Sequence, residues 1–235
     1  MSAPKPVLAR VGGFALACAF TVLILASALW LMGTSPGFLQ GSFEHFAPPE
    51  TTGLTADEVE PVARMIAGYL RGDSETFQYE RELPDSTVFP LFHGYEQAHM
   101  ADCRALYRLD YTVMLAAFIL LAVSAAAALL ANDRRQTGRG VRGGVALTVL
   151  LLAALGVWGL CDFDGLFVTF HRLAFTNDLW LLNPKTDLLI RLMPLRFFVV
   201  CAALLAAALV LSHALLLILS HALIHGKRKR SSTIP

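Results

Sequence analysis

Four long apolar runs punctuate the chain, and what lies between them is polar. Phe14 to Met32, Tyr111 to Ala131, Gly143 to Cys161 and Phe197 to Ile224 contain no Asp, Glu, Lys or Arg. A helix needs roughly 20 apolar residues to cross the hydrocarbon core of a bilayer, and each run has about that length. The pattern therefore predicts spanning helices at 11–33, 111–131, 143–161 and 197–224. Ala26-Ser27-Ala28 resembles a signal-peptidase site. The run around it is longer than a signal h-region, so we read it as a span.

The polar intervals have patterns of their own. Within 34–110, Gly33, Ser35, Pro36 and Gly37 read as a turn. Thr55 and Glu58 have capping-box spacing and open a helical stripe of Val59, Val62, Ile66 and Leu70, which Gly72 ends. Phe77 to Pro90 is mixed, with room for short extended pieces, and Phe92 to Tyr107 reads as a helix leading into the second span. The interval predicts a small cap. Residues 132–142 read as a short basic loop, 162–196 as a segment at the membrane interface, and 225–235 as a basic tail.

Composition agrees. Apolar residues make up 56% and charged residues 16%, and mean hydropathy is +0.58, which excludes an ordinary soluble globule. The expected fold is an all-α membrane protein of four transmembrane helices with a small extracytoplasmic cap. A net charge of +1 gives no reason to expect a nucleic-acid partner. The distribution of charge is more informative. The amino end, the 132–142 loop and the tail hold ten of the nineteen Lys and Arg with a single acid, Asp133, whereas 34–110 holds thirteen acids and five bases. The positive-inside bias then places both termini in the cytoplasm, and places the cap and the 162–196 segment together outside.

Candidate chemistry concentrates between Cys161 and Phe198. Asp162, Asp164, His171, Arg172, Asn177, Asp178, Lys185, Asp187, Arg191 and Arg196 are interleaved there with Trp180 and several Phe. A spanning helix rarely tolerates such a density of charge, so the stretch reads as lining a cavity or lying at the surface. Of seven histidines, His99 and His171 sit near the outer ends of spans in polar, aromatic sequence. If the first is helical, Glu96, His99 and Cys103 lie along one side, with Asp102 within reach. An imidazole both takes and gives a proton near neutral pH, so two converging on one cavity make a proton-transfer site. The bland alternative is a pair of interface residues reaching for water. His213 and His221 read as helix-packing groups, His45 and His93 as surface groups, and His225 as part of the cytoplasmic interface. No standard metal-ligand spacing occurs, although two His and a carboxylate can bind zinc. We expect no metal and no cofactor. No nucleophile elbow supports Ser or Cys catalysis. Asp187, Arg191 and Arg196 can clamp a polar headgroup or pair with one another, and Thr186 or Asn183 can cap a helix. None of the four cysteines forms a CxxC pair, and a Cys103–Cys161 disulfide stays open.

Two stretches carry a resemblance. AHMADCRALY fits a pattern HMxDV followed by a helix, and FHRLAFTNDLWLLNPKTDLLIRLMPLRFF fits FHxxxFxNDxWxLxPxTDxLIxLxPxxFF. Together they resemble the four-span bacterial membrane family of lipoprotein intramolecular transacylases, Lit. The likeness covers most of the chain in topology and roughly 90–200 in motif. The first motif departs at Cys103, where the family often has Val. The resemblance implies transfer of one glyceryl ester acyl chain of an S-diacylglyceryl-cysteine onto the cysteine's α-amine. The substrate would be a diacylated lipoprotein in the outer leaflet of the bacterial cytoplasmic membrane, amid membrane lipid. It carries the family's two essential histidines onto His99 and His171. Tyr95, Arg172 and Arg191 are candidates to stabilise charge on the reacting oxygen. Asp102, Asn177, Asp178 and Asp187 are expected to support the site or simply to cap helices and pair at the interface. Two rivals stay open: a metal-dependent lipid hydrolase using the same histidines, and a non-catalytic scaffold or sensor acting through the acidic cap. The oligomeric state is not legible in the sequence.

Overall fold

A computed structural model of the protein describes residues 5–226; the basic tail at 227–235 lies outside them. The elements run in order α1 (Lys5–Thr34), α2 (Pro36–Phe46), α3 (Pro49–Thr52), α4 (Ala56–Arg71), β1 (Glu80–Glu82), β2 (Val88–Pro90), α5 (Gly94–Ala131), α6 (Arg134–Cys161), α7 (Phe163–Ala174), α8 (Leu188–Leu192) and α9 (Leu195–His225). Among the described residues, α1, α5, α6 and α9 are the four helices long and apolar enough to cross a membrane. Their flanks leave large apolar side chains bare, Leu129, Leu130 and Leu160 among them, as a lipid-facing surface requires.

Two local expectations change. The turn read at 33–37 narrows to a break at Ser35, between the end of α1 at Thr34 and the start of α2 at Pro36. The Ser35 hydroxyl accepts from the Phe38 N–H at 3.3 Å and Pro36 takes the first helical position, so turn chemistry and N-cap chemistry share the same residues. The loop expected at 132–142 shrinks, because α6 already begins at Arg134. Arginine is a good helix former, so the helix runs on beyond its apolar stretch.

The described residues divide into two compact units. One takes 5–25, Val113–Gly156 and 207–226. Within it, α1 meets α6 at small residues. A Cβ added to Gly144 would lie 2.7 Å from both the Ala17 methyl and the Phe14 carbonyl oxygen, so the two backbones approach as only glycine allows. Buried Ser220 donates to the Gly138 carbonyl at 2.8 Å, and Arg142 Nε donates back to Ser220 at 3.1 Å. His213 is also buried here. Its Nδ1 donates to the Leu209 carbonyl at 2.7 Å, while its Nε2 lies 2.8 Å from the Thr148 hydroxyl and 3.3 Å from that of Thr21. His221, expected to pack in the same way, is exposed, and its buried neighbour Ser220 makes the helix contact.

The other unit holds Ala26–Thr112 and Val157–Ala206. The capping box at Thr55 and Glu58 is present, and Gly72 closes α4 with φ 99°, the left-handed conformation that ends helices. Strands β1 and β2 pair antiparallel, Arg81 opposite Phe89. One core joins Leu39 and Phe43 of α2, Val62 and Ile66 of α4, Phe92 and Met100, Leu188 and Leu192 of α8, and Phe197. Each such fully buried side chain contributes about 1.5–3 kcal/mol. This core fixes the start of α5 and all of α8, which flank the histidines in sequence.

Candidate active site

His99 sits in the second turn of α5, in the extension that precedes the apolar run beginning at Tyr111. His171 sits in the last turn of α7, a helix opened by Asp162, whose carboxylate accepts from the Gly165 N–H at 2.8 Å. Both side chains are buried, and their ring centroids lie 6.5 Å apart. Two sequence-predicted residues seventy-two positions apart are thereby brought together.

Aromatic rings pack around His171, and one of them also reaches His99. Phe167, Trp180, Phe170 and Phe175 have centroids 4.1, 5.1, 5.2 and 5.6 Å from the His171 ring, and Phe175 packs edge-on to His99 at 5.1 Å. In such surroundings a charged imidazole is poorly solvated. Burial, with a smaller push from neighbouring His171 and against the opposing pull of Asp102, lowers the His99 pKa to about 4. Burial also lowers that of His171, against the bond to the Phe167 carbonyl. Both rings are neutral at neutral pH.

Neutral rings make tautomers matter. His171 Nδ1 lies 2.7 Å from the Phe167 carbonyl oxygen. A carbonyl only accepts, so the ring proton is on Nδ1 and Nε2 carries the lone pair. No hydrogen bond among the described residues occupies that Nε2. His99 Nε2 lies 3.6 Å from Cys103 Sγ, and its Nδ1 is buried without a partner.

The remaining candidates fall into two groups. Asp102 and Asn177 join the two histidine segments, the Asn177 amide donating to the Asp102 carboxylate at 2.9 Å. Arg172 and Asp178 are exposed, and their side chains have no partner among the described residues. By contrast Tyr95, Asp187 and Arg191 are bound into the scaffold. The Tyr95 hydroxyl donates to Asp187 at 2.6 Å, and Asp187 also accepts from Thr186 at 2.6 Å and from the Asn183 N–H at 2.7 Å. Burial would raise the Asp187 pKa, but the Thr186, Tyr95 and Asn183 hydrogen bonds outweigh it and hold the carboxyl low. Asp187 itself, rather than Thr186 or Asn183, occupies the cap position of α8. Arg191 does not pair with the Asp187 carboxylate. Its guanidinium donates to the backbone carbonyls of Asp187 and Thr51, at 3.0 and 3.1 Å, and of Thr186 at 3.4 Å.

Glu96 carries more than its sequence position suggested. It is fully buried and accepts from the His93 N–H at 2.7 Å and the Leu189 N–H at 2.8 Å, tying the start of α5 to α8. Its place three residues after His93 at a helix start was the available signal. An open cavity of about 580 Å³ adjoins this scaffold, lined by Arg81, Phe89, His93, Gln97, Leu188 and Arg191, and neither His99 nor His171 lines it. All four cysteines are free thiols, so the Cys103–Cys161 bond is not formed. Among the described residues no three His, Cys, Asp or Glu side chains gather as metal ligands.

Known proteins now bear on the chain. No curated protein sequence matches it. Among solved structures it resembles the membrane integral lipoprotein intramolecular transacylase Lit from Bacillus cereus, with TM-score 0.72 and 21% identity over 93% of this chain and 96% of that one. It also resembles two variants of that protein in which one histidine is replaced, by arginine (TM-score 0.66, 19% identity, 94% and 92% coverage) or by alanine (TM-score 0.66, 18% identity, 94% and 93% coverage). At these identities the likeness establishes the fold of a multi-pass membrane protein. The family model for the lipoprotein intramolecular transacylase Lit matches residues 14–198, most of the chain, including both histidine segments. The chain belongs to that family of membrane acyltransferases.

Proposed function

We propose that this protein moves one glyceryl ester acyl chain of an S-diacylglyceryl-cysteine onto the α-amine of the same cysteine, giving the lyso-form lipoprotein, with His99 and His171 as the catalytic pair. The observation that carries this reading is the meeting of two buried, neutral imidazoles inside an aromatic wall, each with one ring nitrogen unengaged by any good acceptor or donor. The site lies at the outer leaflet, with both termini cytoplasmic, which the charge bias of the loops supports.

The chemistry runs within one substrate molecule. The α-amine, with a reference pKa of about 7.7–8.0, attacks the ester carbonyl carbon as its neutral form. Its surplus proton passes to Nε2 of His171, the nitrogen with the lone pair. The carbonyl oxygen gains charge and takes a hydrogen bond from a nearby donor. The carbon–oxygen bond to glycerol then breaks, and the proton on His171 goes to the departing oxygen. One amide and one hydroxyl replace one amine and one ester, with no acyl-enzyme required. The aromatic wall limits the water near the ester, which favours aminolysis over hydrolysis. Tyr95 and Arg191 have their donors engaged elsewhere, so Arg172, exposed and unpaired among the described residues, is the cation left to meet a developing charge or a polar headgroup.

The test is a mass measurement. The chain is expressed in a bacterium that does not N-acylate its lipoproteins, and the N-terminal lipopeptide of an abundant lipoprotein is analysed. Wild type should move one acyl chain to the amine at unchanged total mass, and His99→Ala and His171→Ala should each lose this by about 10²-fold or more. A lipopeptide lighter by one acyl chain would mean hydrolysis. An unaltered diacyl lipopeptide from well-folded wild type would refute the reading.

A further inference from the structure

We propose that Cys103 is a positioning residue for this reaction: its thiol donates to Nε2 of His99 and holds that ring in the tautomer whose Nδ1–H is free to donate to the reacting oxygen. The proposal rests on the transacylase reading above.

Four observations converge. Cys103 follows His99 by four residues on α5, the spacing that stacks side chains on one helix face, and its Sγ lies 3.6 Å from Nε2, within the reach of sulfur's larger radius. A thiol is weak both as donor and as acceptor, but an unprotonated imidazole nitrogen is a far better acceptor than a thiol sulfur, so we place the hydrogen between them on sulfur. Burial pushes the Cys103 pKa up to about 12, which keeps the thiol protonated. With Nε2 accepting and the ring neutral, its one proton is on Nδ1. That atom is buried without a hydrogen-bond partner among the described residues, in a residue only 7% exposed. An orphaned buried polar atom in a native fold calls for an explanation, and a donor awaiting substrate supplies one.

The two rings are then complementary. His171 keeps its Nδ1–H on the Phe167 carbonyl and offers a lone pair. His99 keeps its lone pair on the thiol and offers an N–H. His171 takes the amine's proton and later gives it to the glyceryl oxygen. His99 hydrogen-bonds the charged oxygen and retains its own proton throughout, so the atoms balance without a third group. Where the family motif has Val, no side chain makes this bond. The thiol therefore sharpens the division of labour and does not create it, and its effect is modest.

The experiment uses the full-length protein labelled with ¹⁵N-histidine in lipid nanodiscs, as wild type, Cys103→Val and Cys103→Ser. The His99 signals are assigned by their loss in His99→Gln. Nitrogen chemical shifts and one-bond N–H couplings report which nitrogen holds the proton, and kcat and KM are measured on a diacyl lipopeptide. Wild type should carry the His99 proton on Nδ1. Cys103→Val should give a mixture of tautomers and lower kcat about five- to tenfold at unchanged KM, the worth of one ordinary hydrogen bond. Cys103→Ser, which keeps a donor, should retain the tautomer and most of the rate. A wild-type proton on Nε2 would overturn the proposal. So would a Cys103→Val protein whose tautomer is unchanged, whatever its rate. A wild type with correct tautomers and no acyl transfer would instead refute the reaction reading, because the NMR measurement does not depend on activity.

Discussion

His171 and His213 begin from the same device and end in opposite states. Each is buried, and each gives its Nδ1–H to the carbonyl four residues earlier at 2.7 Å. The backbone thereby fixes the same tautomer in both. The difference is what meets Nε2. For His213 the hydroxyls of Thr148 and Thr21 stand there, the ring is satisfied, and the arrangement joins helices. For His171 the surroundings are aromatic, and no polar group among the described residues takes the lone pair. A buried histidine becomes chemical through the nitrogen that its surroundings leave unanswered.

The strongest way to break this comparison is to remove each ring in turn. His171→Gln should lower turnover by about 10²–10⁴-fold, the span of general acid–base catalysis. His213→Gln should leave turnover nearly intact and lower thermal stability in detergent by about 1 kcal/mol. Equal losses of turnover would sink the distinction.

Burial without partners should also be visible in pH dependence. The folded pKa of His99 is about 4, below the value of 6.5 for an unburied ring. Between these values the unfolded chain binds the proton and the folded one does not. Stability is therefore full above pH 6.5 and is lost as pH falls toward 4, by about 3 kcal/mol for a shift of this size. Denaturation midpoints from pH 7 to pH 4 should show the slope, and His99→Leu should reduce it, leaving the part due to His171.

Next in size is Glu96→Ala, which leaves the Leu189 N–H buried and unanswered and takes the acceptor from the half-buried His93 N–H. A loss of about 2–3 kcal/mol is expected in thermal unfolding, with Glu96→Gln recovering part of it through its remaining carbonyl oxygen. The smallest effect belongs to the exposed Asn177–Asp102 link between the two histidine segments. Asn177→Ala should cost about 0.5 kcal/mol and only slightly slow acyl transfer, and a hundredfold loss there would show that the link touches the chemistry.

Much of this was written locally in the chain. The four spans, the Thr55–Glu58 capping box and the close of α4 at Gly72 follow from periodicity and caps, which act over a few residues. Helix α2 is less legible, because Ser35-Pro36-Gly37 suits a turn as well as a helix start, and packing of Leu39 and Phe43 into the core joins the Ser35 cap in selecting the helix. The two histidines were legible as candidates through their polar, aromatic context. Their tautomers were not, because the Phe167 carbonyl and the Cys103 thiol act through distances of a few ångströms that no spacing rule records. The same holds for Tyr95 and Arg191. Their residue types suited charge stabilisation, but their donors are spent on Asp187 and on backbone carbonyls that the fold brings near.

The indole of Trp180 lies 5.1 Å from the His171 ring, tilted by 35°. A protonated imidazole at that range accepts an electron from excited indole and quenches its emission, whereas a neutral one does so poorly. The protein thus carries an optical gauge of the charge on that ring. In a protein with Trp30 and Trp158 replaced, the remaining fluorescence should stay bright through neutral pH and dim only in acid, following the charge on His171 in real time.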